Sequence, residues 1–176
     1  FSVNKLKYAF SVADKPSSIL NEINKSVSDT LHQIDETSSK DGMDMSLACI
    51  DFNTNTIEFS GAYNPLFLVR NNEVIEIKGD RFPIGSVIGN EEKKFTNHEL
   101  KLQSGDYVYL FSDGYADQFG GQKGKKFMYK QFRSLLIQSA SLKPDAQRKL
   151  LDETLSGWQG NHEQVDDILV IGIKIS

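Results

Sequence analysis

Apolar residues recur every three or four positions in the segment that follows Pro16. This spacing gives one apolar stripe along an amphipathic helix. The stripe consists of Ile19, Ile23, Val27, Leu31 and Ile34. Pro16 suits the first helical turn, where its missing N–H is not needed. The polar run 37–42 ends the predicted helix, and we expect residues 1–15 to be irregular.

From residue 44 onward, apolar runs separated by short polar turns predict strands. The predicted strands cover 44–52, 56–63, 66–70, 73–78, 95–102, 106–112 and 165–175. The turns at 53–55 and 71–72 are rich in Asn, which tolerates the positive φ of tight hairpins. Two further helices are predicted over 127–139 and 144–158.

Three strand runs are apolar at nearly every position instead of at alternate positions: 45–50, 107–111 and 168–173. Such runs predict strands that are buried on both faces. Because the hairpins imply antiparallel pairing, the combination favours two antiparallel sheets packed face to face with helices outside. We therefore expect an α+β fold, a helix–sheet–sheet–helix sandwich, formed by residues 1–176 as a single domain.

Composition narrows the functional classes. The chain has 176 residues and a formal net charge of −4, which argues against a nucleic-acid or anionic-membrane surface. The apolar run near the C-terminus is far too short to span a bilayer. The single cysteine, Cys49, excludes an internal disulfide and favours a reducing, cytoplasmic setting. The chain begins with Phe, so we expect it to be a piece of a longer protein.

Acidic residues adjoin two of the apolar strand runs. Asp113 and Gly114 follow the run 107–111, and the pair Asp166-Asp167 precedes the run 168–173. Carboxylates delivered from strands far apart in sequence are what a hard divalent cation requires. Each motif alone has a plainer interpretation, since Asp-Gly is common in turns and an acidic pair is commonly solvated.

Five segments, taken in order, resemble a SpoIIE-like serine/threonine phosphatase domain of the PPM type (protein phosphatase 2C-like). They are Asp41-Gly-Met-Asp44, Ser60-Gly-Ala-Tyr-Asn-Pro65, Phe82-Pro-Ile-Gly85, the run 105–114 and Asp166-Asp167-Ile-Leu-Val. The resemblance covers about residue 16 to the C-terminus, and the combination of segments is more specific than any one of them. The fold of this family is the sandwich that the strand pattern also favours.

The resemblance implies hydrolysis of phosphoserine or phosphothreonine by a water that two divalent ions, Mn²⁺ or Mg²⁺, activate. It identifies Asp113 and Asp166 as catalytic metal ligands, with Gly114 and Asp167 at the same metal site. Asp167 is either a ligand or a neighbour of the ligands. Arg81 is a candidate for binding the substrate phosphate bidentately, with an ordinary surface loop as the alternative.

One family motif is missing from this sequence. The family has an Asp followed closely by Gly-His-Gly, and that Asp bridges both metals. The histidines here are His32, His98 and His162, and none lies in such a context. Either the chain is a truncated piece or its parent is degenerate, and the intact remaining motifs favour truncation. We therefore expect the chain to be inactive as it stands, and a non-catalytic pseudophosphatase that binds a phosphoprotein is the alternative.

The resemblance also implies a bacterial signalling protein. Such domains usually follow sensory or regulatory domains, which can anchor the parent in a membrane, and act on a phosphoprotein such as an anti-anti-sigma-like partner. Missing strands would leave an exposed sheet edge, so a homodimer formed by edge pairing is a further expectation. The basic run 122–126 either steers a phosphoprotein toward the site or is a solvated loop.

Overall fold

The computed structural model describes residues 14–34, 42–85 and 93–176, and it describes only the backbone of 31–34. The elements are α1 (Pro16–Ile34), β1 (Met45–Asp51), β2 (Thr56–Ala62), β3 (Leu66–Arg70), β4 (Glu73–Ile77), β5 (His98–Lys101), β6 (Tyr107–Phe111), α2 (Gly114–Asp117), β7 (Phe119–Gly120), β8 (Lys125–Lys126), α3 (Tyr129–Ala140), α4 (Pro144–Gln159) and β9 (Val170–Lys174). The segments 1–13, 35–41 and 86–92, which include Asp41 of the first resembling motif, lie outside the described residues.

The chain divides into two compact units. Unit 1 comprises Phe1–Leu66 and Ile77–Gln103, and unit 2 comprises Phe67–Glu76 and Ser104–Ser176. The expectation that 1–176 forms a single domain stays a prediction.

Unit 1 is built on a three-stranded antiparallel sheet in the order β1-β2-β5. The predicted apolar stripe directs α1 onto β1 and β2, and Leu20 and Ile23 are fully buried there. The core of this unit consists of Ile19, Leu20, Ile23, Ala62, Phe82, Ile84 and Phe95. The predicted amphipathic helix is therefore confirmed in position, and Ile19 and Ile23 of its stripe are buried together with Leu20, which the stripe did not include. The side chains of Leu31 and Ile34 lie outside the described residues.

Unit 2 is built on a four-stranded sheet in the order β4-β3-β6-β9, with β6 and β9 antiparallel. Asn71 and Asn72, which join β3 to β4, have φ of 52° and 63°, so the expected tight turn is confirmed. Helices α3 and α4 cover an aromatic core. This core consists of Phe67, Val69, Tyr107, Tyr109, Phe111, Tyr115, Phe127, Phe132, Leu135 and Leu136.

Two of the three runs expected to be buried on both faces differ from that expectation. Strand β6 is buried almost throughout, as predicted. Strand β1 is only half-buried, and Ile171 of β9 is 43% exposed. Both strands lie at the end of their sheets, where fewer neighbouring side chains cover them. Strand β9 also begins at Val170, so residues 165–169, predicted as strand, form a loop instead.

Antiparallel sheets combined with helices confirm the expected α+β class. None of the helices in the described residues has both the length and the apolar character needed to cross a bilayer.

Candidate functional site

Asp113 lies where the buried strand β6 ends and the single-turn helix α2 begins. Its backbone is already helical, with φ of −69° and ψ of −19°, and its carboxylate makes no capping hydrogen bond to α2. The backbone carbonyl of Asp113 accepts a hydrogen bond from the Asp117 N–H at 2.9 Å. This turn fixes the backbone and leaves the carboxylate group free of a capping role.

Gly114 allows the second acidic loop to approach the first. A Cβ at this position would lie 2.5 Å from the Asp167 carbonyl oxygen and 3.1 Å from the Ile168 side chain. No real Cβ tolerates the first of these distances, so a larger residue would force the two loops apart. The glycine of the Asp-Gly motif therefore serves close packing between loops, in addition to turn chemistry.

Ser112 ties the same two loops together. Its Oγ donates a hydrogen bond to the Asp167 carbonyl oxygen at 2.7 Å and accepts one from the Leu169 N–H at 2.9 Å. Its backbone N–H donates to the Leu169 carbonyl oxygen at 3.1 Å. Three hydrogen bonds thus connect the residue before Asp113 with the segment that follows Asp166.

The acidic pair has a defined local structure. The Asp166 Oδ1 accepts a hydrogen bond from the Asp167 N–H at 2.7 Å, and the Asp166 carbonyl oxygen accepts one from the Gln164 side chain at 2.8 Å. Both aspartates are exposed. The loop is therefore shaped by its own hydrogen bonds while the Asp166 and Asp167 carboxylates face solvent.

The electrostatic environment of Asp113 includes the charges of other carboxylates, Asp166 and Asp117. Partial burial raises the pKa of Asp113, the charge of Asp166 raises it further, and that of Asp117 adds to the effect. The Lys126 ammonium lowers it in part. The charge of Asp166 therefore acts on Asp113 although the two residues lie far apart in the sequence, and their shared role in a metal site stays a prediction.

Sequence reasoning missed the hairpin beside this site. Strands β7 and β8 pair Phe119 with Lys126, and the Lys126 Nζ lies 2.7 Å from the Asp117 Oδ2. The basic run 122–126, for which a steering role and a solvated loop were the alternatives, thus includes the strand β8 of a hairpin. Its signal was the glycine content, because Gly121 and Gly124 have positive φ values of 66° and 54°.

The run 105–114 contains a second acidic residue, which lies outside the candidate site. Asp106, at the start of β6, is 1% exposed and accepts two hydrogen bonds from Arg70, Nε to Oδ1 at 2.9 Å and Nη2 to Oδ2 at 2.6 Å. This bidentate pair stabilises unit 2 and takes no part in the candidate site. Arg81, the candidate phosphate ligand, is exposed in a bend of unit 1, and its role stays a prediction.

The donor set suits a hard cation. Carboxylates whose negative charges repel one another are stabilised by a divalent ion, and Mg²⁺ commonly binds through one or two carboxylates with water completing its shell. Within 14–34, 42–85 and 93–176, no group of three or more His, Cys, Asp or Glu side chains is arranged to hold a metal. Asp113 and Asp166 therefore fit a site that is rich in water ligands, and they do not form a closed cage.

Replacing Ser112 by Ala tests the connection between the loops. We expect Ser112→Ala to lower the free energy of unfolding by about 0.5–1.5 kcal/mol, because the exposed hydrogen bonds to the Leu169 N–H and the Asp167 carbonyl are lost. Denaturant unfolding of the purified chain measures this change. Ser134→Ala removes an exposed hydroxyl bonded within α3 and is the control, for which we expect less than about 0.5 kcal/mol. Equal losses in the two variants would contradict the role given to Ser112.

Comparisons with known proteins give matches to both the sequence and the fold of this chain. The sequence model of the SpoIIE family (stage II sporulation protein E) matches residues 3–176. The comparison with curated proteins gives no match. Among solved structures, the SiaA-PP2C domain of Pseudomonas aeruginosa is 28% identical with a TM-score of 0.87, over 98% of this chain and 67% of that one.

Two more distant structures share the fold. The PP2C phosphatase domain of SpoIIE from Bacillus subtilis, solved with a fragment of its regulatory domain, is 20% identical with a TM-score of 0.71, over 98% of this chain and 48% of that one. The RsbU and RsbW domains of a Mycobacterium tuberculosis protein are 18% identical with a TM-score of 0.68, over 97% of this chain and 45% of that one. This chain therefore spans only part of the length of these solved relatives.

Proposed function

This chain belongs to the SpoIIE family of PP2C-type phosphatase domains, and we propose that it is a metal-dependent serine/threonine protein phosphatase domain. The observation that carries the proposal is the convergence of Asp113 and Asp166, from loops that Ser112 ties together. Its substrate would be a phosphoserine or phosphothreonine of another protein.

The chain's own residues supply position and charge. Asp113 and Asp166 would hold a Mn²⁺ or Mg²⁺ ion, with Gly114 and Asp167 forming the adjoining loop surfaces. A bound ion lowers the pKa of a water molecule and neutralises charge on phosphoryl oxygens. Burial and the neighbouring carboxylates raise the pKa of Asp113, and a bound cation would offset the repulsion between these carboxylates. Arg81 remains a candidate ligand for the substrate phosphate.

We further propose that the chain alone is a slow catalyst. The sequence has no Asp followed by Gly-His-Gly, the motif that supplies the bridging carboxylate in the family. The described residues also hold no group of three acidic, His or Cys side chains placed for a metal. The same two observations favour the second candidate function, a pseudophosphatase that binds a phosphoprotein without hydrolysing it.

The proposed setting is bacterial signal transduction in the cytoplasm. A similar solved structure combines RsbU with RsbW domains, and another joins the phosphatase domain to a regulatory fragment. These matches are consistent with regulatory partners. The proposal adds, from the family resemblance, a phosphoprotein partner of the anti-anti-sigma type and sensory or regulatory domains in the parent. Homodimer formation through a sheet edge stays part of the proposal.

The two candidate functions separate in one experiment. We expect a phosphothreonine peptide to be hydrolysed slowly by the chain in the presence of Mn²⁺, with release of inorganic phosphate. Asp113→Asn should abolish the release, whereas Asp145→Asn, an exposed carboxylate of α4, should leave it unchanged. Peptide binding without any release of phosphate would contradict catalysis by this chain alone and favour the pseudophosphatase.

A further inference from the structure

A lysine is held one helical turn from Asp113. The Lys126 Nζ forms an ion pair with the Asp117 Oδ2 at 2.7 Å, and Asp117 is the last residue of α2, which begins directly after Asp113. The Lys126 side chain is 42% exposed, so solvent reaches it while it is paired with Asp117. The hairpin therefore places a cation next to the acidic loops of unit 2.

The backbone that carries Lys126 is firmly fixed. Lys126 pairs with Phe119 across the hairpin, and the next two residues continue the pairing. The Phe127 N–H donates to the Gln118 carbonyl at 2.9 Å, and the Met128 N–H donates to the Ala116 carbonyl at 2.7 Å. Met128 has a φ of 73°, a conformation that non-glycine residues adopt only when their surroundings impose it.

Hydrogen bonds join the β7–β8 hairpin and the residue before it to Trp158 of α4. The Gly121 N–H donates to the Trp158 carbonyl at 2.7 Å, and the Trp158 indole donates to the Gln118 carbonyl at 3.1 Å. Gly120 lies so close to the Trp158 backbone that a Cβ would overlap it. The backbone position of Lys126 is thus fixed, while its four-carbon side chain is flexible.

The charge of Lys126 acts on the candidate site. It lowers the pKa of Asp113, against the larger opposing effects of burial and of Asp166 and Asp117. A phosphate monoester brings between one and two further negative charges at neutral pH. Three carboxylates repel such a group, so binding it requires cations, and the protein supplies one in Lys126.

We propose that Lys126 binds and orients the phosphate group of the substrate at the site of Asp113 and Asp166. This inference rests on the proposed phosphatase function and adds a residue to it. The ion pair with Asp117 is exposed and therefore weak, so the ammonium group can exchange a carboxylate oxygen for a phosphoryl oxygen at small cost. Lysine acts in this way as a mobile point charge for phosphate.

The plainer role for Lys126 is a structural ion pair, and its neighbour provides the control. Lys125 pairs with Gly120 in the same hairpin and is exposed. Successive side chains of a strand point to opposite faces, so Lys125 projects away from Asp117. Lys125→Gln changes the net charge of the protein by the same amount as Lys126→Gln, but it keeps the ammonium group beside Asp117.

The test measures phosphate and metal binding separately. Calorimetry follows inorganic phosphate titrated into the Mg²⁺-saturated chain, and Mg²⁺ titrated into the phosphate-free chain. We expect Lys126→Gln to weaken phosphate binding by about tenfold, the loss of one charge-assisted hydrogen bond. Lys126→Arg should retain affinity within about threefold, and Lys125→Gln within about twofold. Mg²⁺ affinity should stay equal or rise in Lys126→Gln, because a repelling charge is removed.

The outcomes separate this inference from the proposed function. Equal phosphate affinities in Lys126→Gln and Lys125→Gln would overturn the role of Lys126, as would Mg²⁺ binding by the unmodified chain without any phosphate binding. Both of these leave the metal site standing. A chain that binds neither Mg²⁺ nor phosphate would overturn both proposals.

Discussion

Replacing Arg70 by Met will destabilise the chain more than any surface substitution, by about 3–5 kcal/mol. The Asp106 carboxylate is buried, with 2% of its side chain exposed, and Arg70 supplies it with a two-point hydrogen-bonded pair. The substitution leaves the negative charge in the interior without its guanidinium partner. Denaturant unfolding measures the loss, and the melting temperature should fall by roughly 10 °C.

The chain offers two controls for this result. Glu76→Gln breaks the more exposed pair between Arg133 and Glu76 in the same unit and should cost less than about 1 kcal/mol. The double variant Arg70→Met/Asp106→Leu removes both charges and should recover most of the lost stability, because an apolar pair can replace a buried ion pair. A loss below about 1 kcal/mol for Arg70→Met alone would show that this pair contributes no more than a surface pair.

Asp113→Asn will make the metal-free chain more stable than the parent, and it will make the chain less stable than the parent when a divalent metal is present. Without metal, the substitution removes a partly buried carboxylate that Asp166 and Asp117 repel. We expect the metal-free variant to be more stable than the parent at pH 7, by roughly 0.5 kcal/mol after screening by solvent. With Mn²⁺ at a hundred times its Kd, the parent gains about 2.7 kcal/mol that the variant lacks, or roughly 5–10 °C in melting temperature.

The pH dependence follows from the direction of the shift. The folded chain raises the pKa of Asp113 above its ordinary value of 3.8, so the folded state holds this proton more tightly than the unfolded state does. The resulting stabilisation is fully present below the unfolded pKa and is lost as the pH rises through the folded pKa. Metal-free Asp113→Asn should therefore be more stable than the parent above about pH 4, and the two proteins should be equally stable near pH 3. Thermal unfolding of both proteins across this range measures it, and an advantage that is constant with pH would contradict the assignment.

The fold was largely predictable because its signals are local. The stripe that begins at Ile19 defines α1, and the Asn71-Asn72 pair defines a hairpin, since each depends on neighbouring residues. The hairpin of β7 and β8 was missed because strands of two residues carry no periodic pattern. Residues 165–169 were assigned to a strand because they are continuous with an apolar run, although in the structure they are held by Ser112 from another loop.

The candidate site had a different origin. Asp113 and Asp166 were predicted from family resemblance, and this assignment stays a prediction, because the approach of their loops depends on contacts between distant segments that no local pattern records. Asp106 and Asp113 flank the same apolar strand, yet the first is paired with Arg70 and the second lies among carboxylates. Lys126 gained significance only through its distance to Asp117. Charge alone did not distinguish these roles.

The central claim is that Asp113 and Asp166 form one metal site, and a calorimetric titration with Mn²⁺ tests it most directly. The unmodified chain is compared with Asp113→Asn/Asp166→Asn and with Asp145→Asn/Asp152→Asn, which removes the same charge from exposed positions of α4. We expect Mn²⁺ binding in the unmodified chain and in the α4 variant, and none in Asp113→Asn/Asp166→Asn. Equal Mn²⁺ affinity in all three proteins would contradict it.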